Sequence, residues 1–366
     1  MADVDIDLSF SYSSGEEIFS RFGLSLHKGE HLLLIASPGS GKTTFARILT
    51  GAIPKYINGN LDGHFIVDDN DVLSMDIPER VEIVGRVSQN TDEMLLFSSV
   101  EEEISFPLEN LGLDEDAIQE RISYALDLFG LGRYRKVSTS ELSGGEKRRL
   151  MLAILFAVNP EIYILDEAFD ELSPEWRGRL ADIIRNLGRT VIVLGSHMLM
   201  EYEGVFSRTL SIADGAVRPY EPRPFAFPDF HLSIGKSVLK ADNLLIERSH
   251  RSSDELSSFS LSVPHFELHE GECVVLLGEN GSGKSSFSRV LTGLLKEIDG
   301  NIAIDDGRVL SAKERRSTVA YLMQNPYEEL FLPTARDEAA STKASEHEID
   351  EAFRLFGIDP DAYVQE

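Results

Sequence analysis

The chain is poor in cysteine, in long apolar runs and in positive charge. Of 366 residues only Cys273 is a cysteine. A disulfide within the chain is excluded, and a reducing compartment is expected. Cys273 stands in the apolar run "ECVVLLG" and reads as inert core packing. The runs "LLLIA", "LMLAILFAV" and "CVVLLG" all fall short of the ~18 residues that a membrane-spanning helix needs. Lys and Arg number 35 against 62 Asp and Glu, a formal charge of -27. A surface that acidic repels phosphate backbones and anionic lipid, so no nucleic-acid partner is expected. Basic segments of a protein partner remain admissible. The start, "MADVDIDLSF", is acidic and does not have the pattern of a signal peptide.

What is present is an ordinary globular composition, 42% hydrophobic and 27% charged, long enough for about two domains. Two stretches follow one plan. "KGEHLLLIASPGSGKTTFARILTG" is followed by "GRVSQN", and "EGECVVLLGENGSGKSSFSRVLTG" by "AYLMQN". A repeat about 240 residues long is a duplicated domain, not a solenoid. Between the copies, "VRPYEPRPFAFPDF" holds four prolines and reads as an extended linker. The expected division is a first domain at 1–217, a linker at 218–235 and a second domain at 236–366. Apolar runs such as "HLLLIA", "EIYIL" and "TVIVLGS" read as buried parallel strands. "KTTFARILTG" and "GEKRRLMLAILFAV" have helical spacing. Alternation of the two predicts an α/β fold, a mostly parallel sheet with helices on both faces.

"ASPGSGKTT" is a phosphate loop made of Ala36, Ser37, Pro38, Gly39, Ser40, Gly41, Lys42, Thr43 and Thr44. Glycines let backbone N–H groups turn inward around phosphates. The lysine brings a positive charge to the β- and γ-phosphates, and the hydroxyl after it can reach Mg²⁺. The second copy, "GENGSGKSS", supplies Gly278, Glu279, Asn280, Gly281, Ser282, Gly283, Lys284, Ser285 and Ser286. "YILDEAFDE" puts Asp166 and Glu167 at the end of an apolar strand, where one carboxylate can serve a Mg²⁺ shell and the other polarise water. In "ELSGGEKRR", Ser143, Gly144, Gly145 and Glu146 open a helix beginning at Glu146 or nearby, and helix starts attract anions.

Taken together, "LSGGE" ahead of "YILDE", with Gln89 upstream and His197 in "VLGSHM" downstream, resembles the ATPase domain of ABC transporters. The segments "SQNTDEMLLFSSVEEEISF", "MQNPYEELFLPTARDEAA" and "TGAIPKYINGNLDG" are similar to the cobalt and energy-coupling-factor ATPases with two fused domains. The resemblance implies tandem P-loop ATPase domains with a helical signature subdomain, ATP and Mg²⁺ as cofactors, and import of vitamins or metal ions. It implies integral membrane subunits as partners, a peripheral place on the cytoplasmic face of the membrane, and pairing of ATPase domains within or between chains. By the same resemblance Tyr12 stacks on adenine, and Thr43, Gln89, Asp166 and Ser285 serve Mg²⁺. Gln89 and Gln324 sense the γ-phosphate. Ser143 and Gly145 bind the ATP held by an opposite domain, Glu167 is the general base, and His197 keeps the γ-phosphate and the base in register. Ser173 stands at the usual Asp of the segment after the base, and Arg248 stands where Tyr12 stands in the first copy.

Aligning "ALDLFGLG" with "AFRLFGID" places a second signature just past Glu366, so the sequence reads as a fragment or a decayed gene. The second copy then lacks its own signature, acids and histidine. Two other readings stay open, a soluble tandem ATPase acting on ribosomes or DNA and a nucleotide-binding remnant without turnover. The acidic stretch after Gln89, with Glu93 and Glu101 to Glu103, is expected to receive a basic helix of a membrane partner.

Overall fold

A computed structural model describes residues 3–88, 95–170, 172–222, 234–251, 256–278, 282–304, 307–323, 330–342 and 344–361. The chain divides into two compact units, Met1–Phe225 and Ala226–Glu366. The division falls inside the proline-rich segment. Regular structure in the first unit continues to a strand at Ala216–Pro219. Pro219 is tolerated there because that strand is the edge of its sheet, where a missing N–H breaks no inner ladder.

The first unit opens with strands β1 (Val4–Tyr12) and β2 (Glu17–Leu26), then β3 (His31–Ile35). Helix α1 (Lys42–Leu49) and the single turn α2 (Ala52–Lys55) follow. Next come β4 (Gly59–Val67), β5 (Asn70–Asp71), the turn α3 (Ile77–Arg80) and β6 (Val84–Val87). A helical stretch contains α4 (Val100–Asn110), α5 (Glu115–Leu128) and α6 (Gly144–Val158). The unit ends with β7 (Ile162–Asp166), α7 (Pro174–Arg185), β8 (Thr190–Gly195), β9 (Arg208–Ala213) and β10 (Ala216–Pro219).

Six strands form one sheet in the order β10-β9-β3-β8-β7-β6, parallel except for β10. Its middle strands are apolar throughout because both faces are covered. Strand β3 shows the rule: Leu32 and Leu34 belong to one core, and Leu33 and Ile35 to the other. The core of Leu32 and Leu34 is closed by α1 and by an antiparallel sheet of order β2-β1-β4-β5. The core of Leu33 and Ile35 is closed by α4, α5, α6 and α7. The antiparallel sheet lies outside the parallel-sheet expectation, although β1 alternates as a half-buried strand should, with Val4, Ile6, Leu8 and Phe10 inward.

The second unit repeats the start of the first. Strands β11 (Ser237–Arg251), β12 (Leu256–His269), β13 (Asp299–Ile304) and β14 (Arg308–Val309) pair antiparallel in the order β12-β11-β13-β14. Helices α8 (Lys284–Leu291), α9 (Ala312–Thr318), α10 (Ala335–Ala340) and α11 (Glu346–Phe356) complete it. Among its described residues no strand pairs with "ECVVLLG". Cys273 is therefore exposed, not core, and Leu277 is 89% exposed. In the first unit the matching run is buried because β8 and β9 flank it on both sides.

Candidate functional site

The C-terminal ends of parallel strands point one way, and loops leaving them gather at one edge, the usual place for a ligand in such sheets. Here β3 runs into the phosphate loop, β7 ends at Asp166, and β8 ends immediately before Ser196. Backbone bonds pin these exits together. Ala36 N donates to Gly195 O at 2.9 Å, and Glu167 N donates to Leu194 O at 2.9 Å.

Gly41 caps α1 at φ +95°, and a Cβ there would lie 2.6 Å from Ile18 Cγ2 and 2.8 Å from Phe19 Cζ. Only glycine accepts both the backbone and the contact. Gly283 in the second copy repeats this at φ +98°, with Phe259 Cζ 2.6 Å away. Gly41→Ala is expected to cost roughly 1–3 kcal/mol of stability by overpacking and backbone strain, measurable as a lowered Tm.

Lys42 is buried, and its Nζ donates to Ala36 O at 2.6 Å and to Ser37 O at 3.3 Å. It also lies 3.4 Å from Glu167 Oε1. The same Oε1 accepts from Ser196 Oγ at 2.5 Å. Ser196 stands in "VLGSHM" but is assigned no role from the sequence; its only signal there is its place between β8 and His197. Glu167 adopts φ +50°, rare for a residue with a side chain. Its carbonyl is held there by Arg148 Nη2 at 2.7 Å. Arg148, fully buried in α6, also donates to Asp166 O at 3.2 Å and to Ser88 O. One side chain of the "LSGGEKRR" helix thus ties that helix to the acidic pair and to the residue before Gln89.

Lys42, Glu167 and Ser196 line a cleft of about 410 Å³ with Tyr12, Glu16, Ile18, Ser37, Pro38, Gly39, Gly41, Thr43 and Thr44. Tyr12 Oη is 2.7 Å from Thr44 Oγ1, which fixes the ring at the rim of the loop. A larger groove of about 670 Å³ lies at the opposite end of β3, around His27, Lys28, Glu30 and Arg208. Its cations are already engaged, Lys28 with Asp68 and Arg208 with Glu30, so the phosphate-loop cleft is the better ligand site.

Asp166 is 1% exposed, and its Oδ2 has no hydrogen-bond partner among the described residues. Burial pushes its carboxyl above the ordinary range, and Arg86, 3.6 Å away, pulls it back. A buried carboxylate oxygen without a donor, in a site where Thr43 presents a hydroxyl, suits a divalent cation with oxygen ligands.

Other expected residues are placed differently. Gln89, Gln324, Glu279, Asn280, Gly281 and Glu93 lie outside the described residues. His197 is not against Glu167; its Nε2 is 3.8 Å from Asp170 Oδ1, and the ring is largely exposed. The residue before it reaches the base instead. Ser143 is the N-cap of α6, which begins at Gly144, two residues earlier than Glu146. Ser143 N and Oγ donate to Glu146 at 2.9 and 2.7 Å, a capping box. Tyr134 also donates to Glu146. Burial raises the Glu146 carboxyl, but the bonds from Tyr134 and Ser143 outweigh it and hold it below the ordinary range. In the second copy Lys284 Nζ donates to Gly278 O at 2.7 Å, as Lys42 does to Ala36.

Of the acidic stretch expected to dock a partner, Glu93 lies outside the described residues, and Glu101 to Glu103 differ in their surroundings. Glu101 pairs with Arg135 at 2.8 Å, Glu102 accepts from Ser99 N at 3.1 Å, and Glu103 is buried with Phe97 N–H donating to it. Burial pushes the Glu103 carboxyl up, and that amide moderates the shift. The charge run stands in the first turn of α4, where acidic side chains favour the helix N-terminus.

The sequence profile of the ABC transporter family matches residues 19–170 and 261–365. The chain belongs to the ABC transporter family. It is an ABC ATPase with the P-loop fold, an ATP-binding component. Among curated relatives, a candidate ABC transporter ATP-binding protein of Methanosarcina mazei is 28% identical, covering 91% of this chain and 70% of that protein. The candidate HMP/thiamine import ATP-binding protein YkoD of Bacillus subtilis is also 28% identical, over 90% of this chain and 69% of that one. Among solved structures, CbiO1 of Clostridium perfringens, part of the ABC transporter complex CbiONQ, is 26% identical with a TM-score of 0.51. That likeness covers 59% of this ABC ATPase and 86% of CbiO1. An ATP-binding cassette solved as a dimer with ADP and Pi has the same fold, at 21% identity and a TM-score of 0.53, over 61% of this chain and 100% of that one.

Proposed function

We propose that this chain is the ATP-hydrolysing subunit of an importer of the cobalt or energy-coupling-factor class, working on the cytoplasmic face of a membrane against integral membrane subunits. The observation that carries the catalytic part is the meeting of Lys42, Glu167 and Ser196 in one cleft, with Nζ 3.4 Å and Oγ 2.5 Å from the same carboxylate oxygen. The class is supported by the likeness to CbiO1 and YkoD.

The residues divide the work. Lys42 and the backbone amides of Gly39–Thr44 take the β- and γ-phosphates, and Tyr12 takes the base. Mg²⁺, held by Thr43 and Asp166 with Gln89, would neutralise phosphate charge. Glu167 accepts a proton from the attacking water, and the Ser196 hydroxyl orients the carboxylate for it. His197, beside Asp170, would meet the γ-phosphate. Ser143, Gly144 and Gly145 face the nucleotide of another ATPase unit. The second unit is a further ATPase half built around Lys284, Ser285 and Gln324, and units pair within or between chains.

The membrane partner meets an apolar surface beside α4. Leu96 is 75% exposed, and the rings of Phe97 and Phe106 lie 4.8 Å apart with Phe106 open to solvent. Co-expressed with its transporter subunits, the chain is expected to sediment with membranes. Leu96→Glu with Phe106→Glu should lower that bound fraction about tenfold, because central apolar anchors dominate interfaces. Reversal of Glu101 should change it little. Sedimentation with ribosomes in place of membranes would sink the importer reading.

A further inference from the structure

Strand β6 carries Arg86 beside the end of β7, so that the guanidinium faces Asp166. Nη2 stands 3.6 Å from Oδ2, an ion pair too long for a hydrogen bond. The Asp166 side chain is 1% exposed and that of Arg86 only 13%. Each keeps a buried orphan: among the described residues Arg86 Nε and Asp166 Oδ2 have no hydrogen-bond partner. Buried charges normally saturate their bonding, so a pair left open on both sides is held for something other than stability. The internal repeat offers a comparison. "GRVSQN" has Arg86 three residues ahead of its Gln, and "AYLMQN" has Tyr321 at the same step.

The local charge balance follows from the neighbours. Lys42 Nζ lies 3.4 Å from Glu167, and Arg148 donates to the carbonyls of Asp166 and Glu167. Arg86 at 3.6 Å offsets the charge of Asp166 and Lys42 at 3.4 Å that of Glu167, so each of the two carboxylates already faces a cation. A divalent cation arriving alone meets Arg86 and Lys42 as like charges beside the carboxylates, whereas a nucleoside triphosphate is attracted by them and brings its own negative charge.

We infer that Arg86 is a positioning residue that makes metal entry conditional on nucleotide: it occupies Asp166 as a built-in counter-cation and keeps free divalent metal out until a triphosphate carries it in. This rests on the reading of Asp166 as a metal-shell acid. Without Arg86 the orphan oxygen of Asp166 is available to metal at once.

The test is a Mn²⁺ titration of the full chain, read by the electron paramagnetic resonance of free Mn²⁺, with and without AMP-PNP. A Lys284→Ala background confines the readout to this cleft. Arg86→Met and Arg86→Tyr are expected to bind Mn²⁺ alone about tenfold more tightly than the protein that keeps Arg86, as removal of one nearby unit charge requires. With AMP-PNP present the difference should shrink to within about threefold, because nucleotide charge then dominates. Arg86→Lys should keep metal out as the arginine does, a rescue that a purely structural role does not predict. Equal Mn²⁺ affinity in the Arg86→Met, Arg86→Tyr and unaltered proteins, with unchanged thermal unfolding, would overturn the inference. Asp166→Asn separates the two layers. If it leaves Mn²⁺·AMP-PNP binding unchanged, the metal reading of Asp166 falls and the inference with it. If it weakens that binding while the Arg86 variants behave like the parent, the inference alone falls.

Discussion

Glu167→Gln is expected to leave nucleotide binding intact and to lower ATP turnover by about 10²–10⁴-fold, the span that general-base removal produces. The substitution keeps the size of the side chain and an oxygen able to accept from Ser196, which now donates at 2.5 Å. What it removes is a carboxylate that can take a proton. The backbone at φ +50° is held by Leu194 O and Arg148, not by the carboxylate, so the loop has no reason to move. Phosphate release under single-turnover conditions, measured with the transporter subunits present, checks the rate; a fluorescent nucleotide checks the binding. Turnover in the Gln variant equal to that of the unaltered chain would exclude Glu167 as the base.

Lys42→Ala is expected to weaken ATP binding in the first unit by about 10²-fold or more, equivalent to ~3 kcal/mol. The lysine is buried at the mouth of the loop and is held by Ala36 O and Ser37 O, so its charge is aimed before ligand arrives. Loss of a pre-aimed cation in a partly desolvated cleft removes more than loss of a surface lysine would. Lys42→Arg should not restore binding. The space around Nζ is already filled by Ala36 O at 2.6 Å and Glu167 Oε1 at 3.4 Å, and a planar fork is wider than an ammonium. Equilibrium binding of a fluorescent ATP analogue in a Lys284→Ala background reads this cleft alone.

The parts of the fold that are legible in the sequence are those set by local pattern. The run of β3 is apolar on both faces and is followed by glycines and a lysine, so strand, loop and α1 can be placed together. The alternation in β1 is equally local, but an antiparallel sheet beside a parallel one is a tertiary choice that the phosphate loop does not announce. Cys273 shows the limit of pattern alone. "ECVVLLG" has the composition of a buried strand, yet burial requires flanking strands, and none is found among the described residues of its unit.

The candidate site divides the same way. Lys42, Asp166 and Glu167 are readable because each sits in a short motif at a strand end. Ser196, Arg86 and Arg148 are not, because their meaning lies in contacts with residues far along the chain. Ser196 meets Glu167, Arg86 meets Asp166, and Arg148 joins its own helix to the exits of β6 and β7. The charge run Glu101–Glu103 has a local role that its charge alone does not announce. Acidic residues in the first turn of a helix act there as cap, ion pair and buried acceptor. His197 is expected beside the base, but its side chain points to Asp170 and the serine before it makes the contact.

We propose that the cleft between Tyr12 and Lys42 holds ATP, and photolabelling with 8-azido-ATP in Mg²⁺ tests this most directly. Peptides from the irradiated chain are mapped by mass spectrometry. Label is expected on the segment Tyr12–Ile18, where Tyr12, Glu16 and Ile18 line the cleft, and it should be lost in Lys42→Ala. Label absent from that segment, or undiminished there when Lys42 is removed, would contradict the placement of ATP in this cleft.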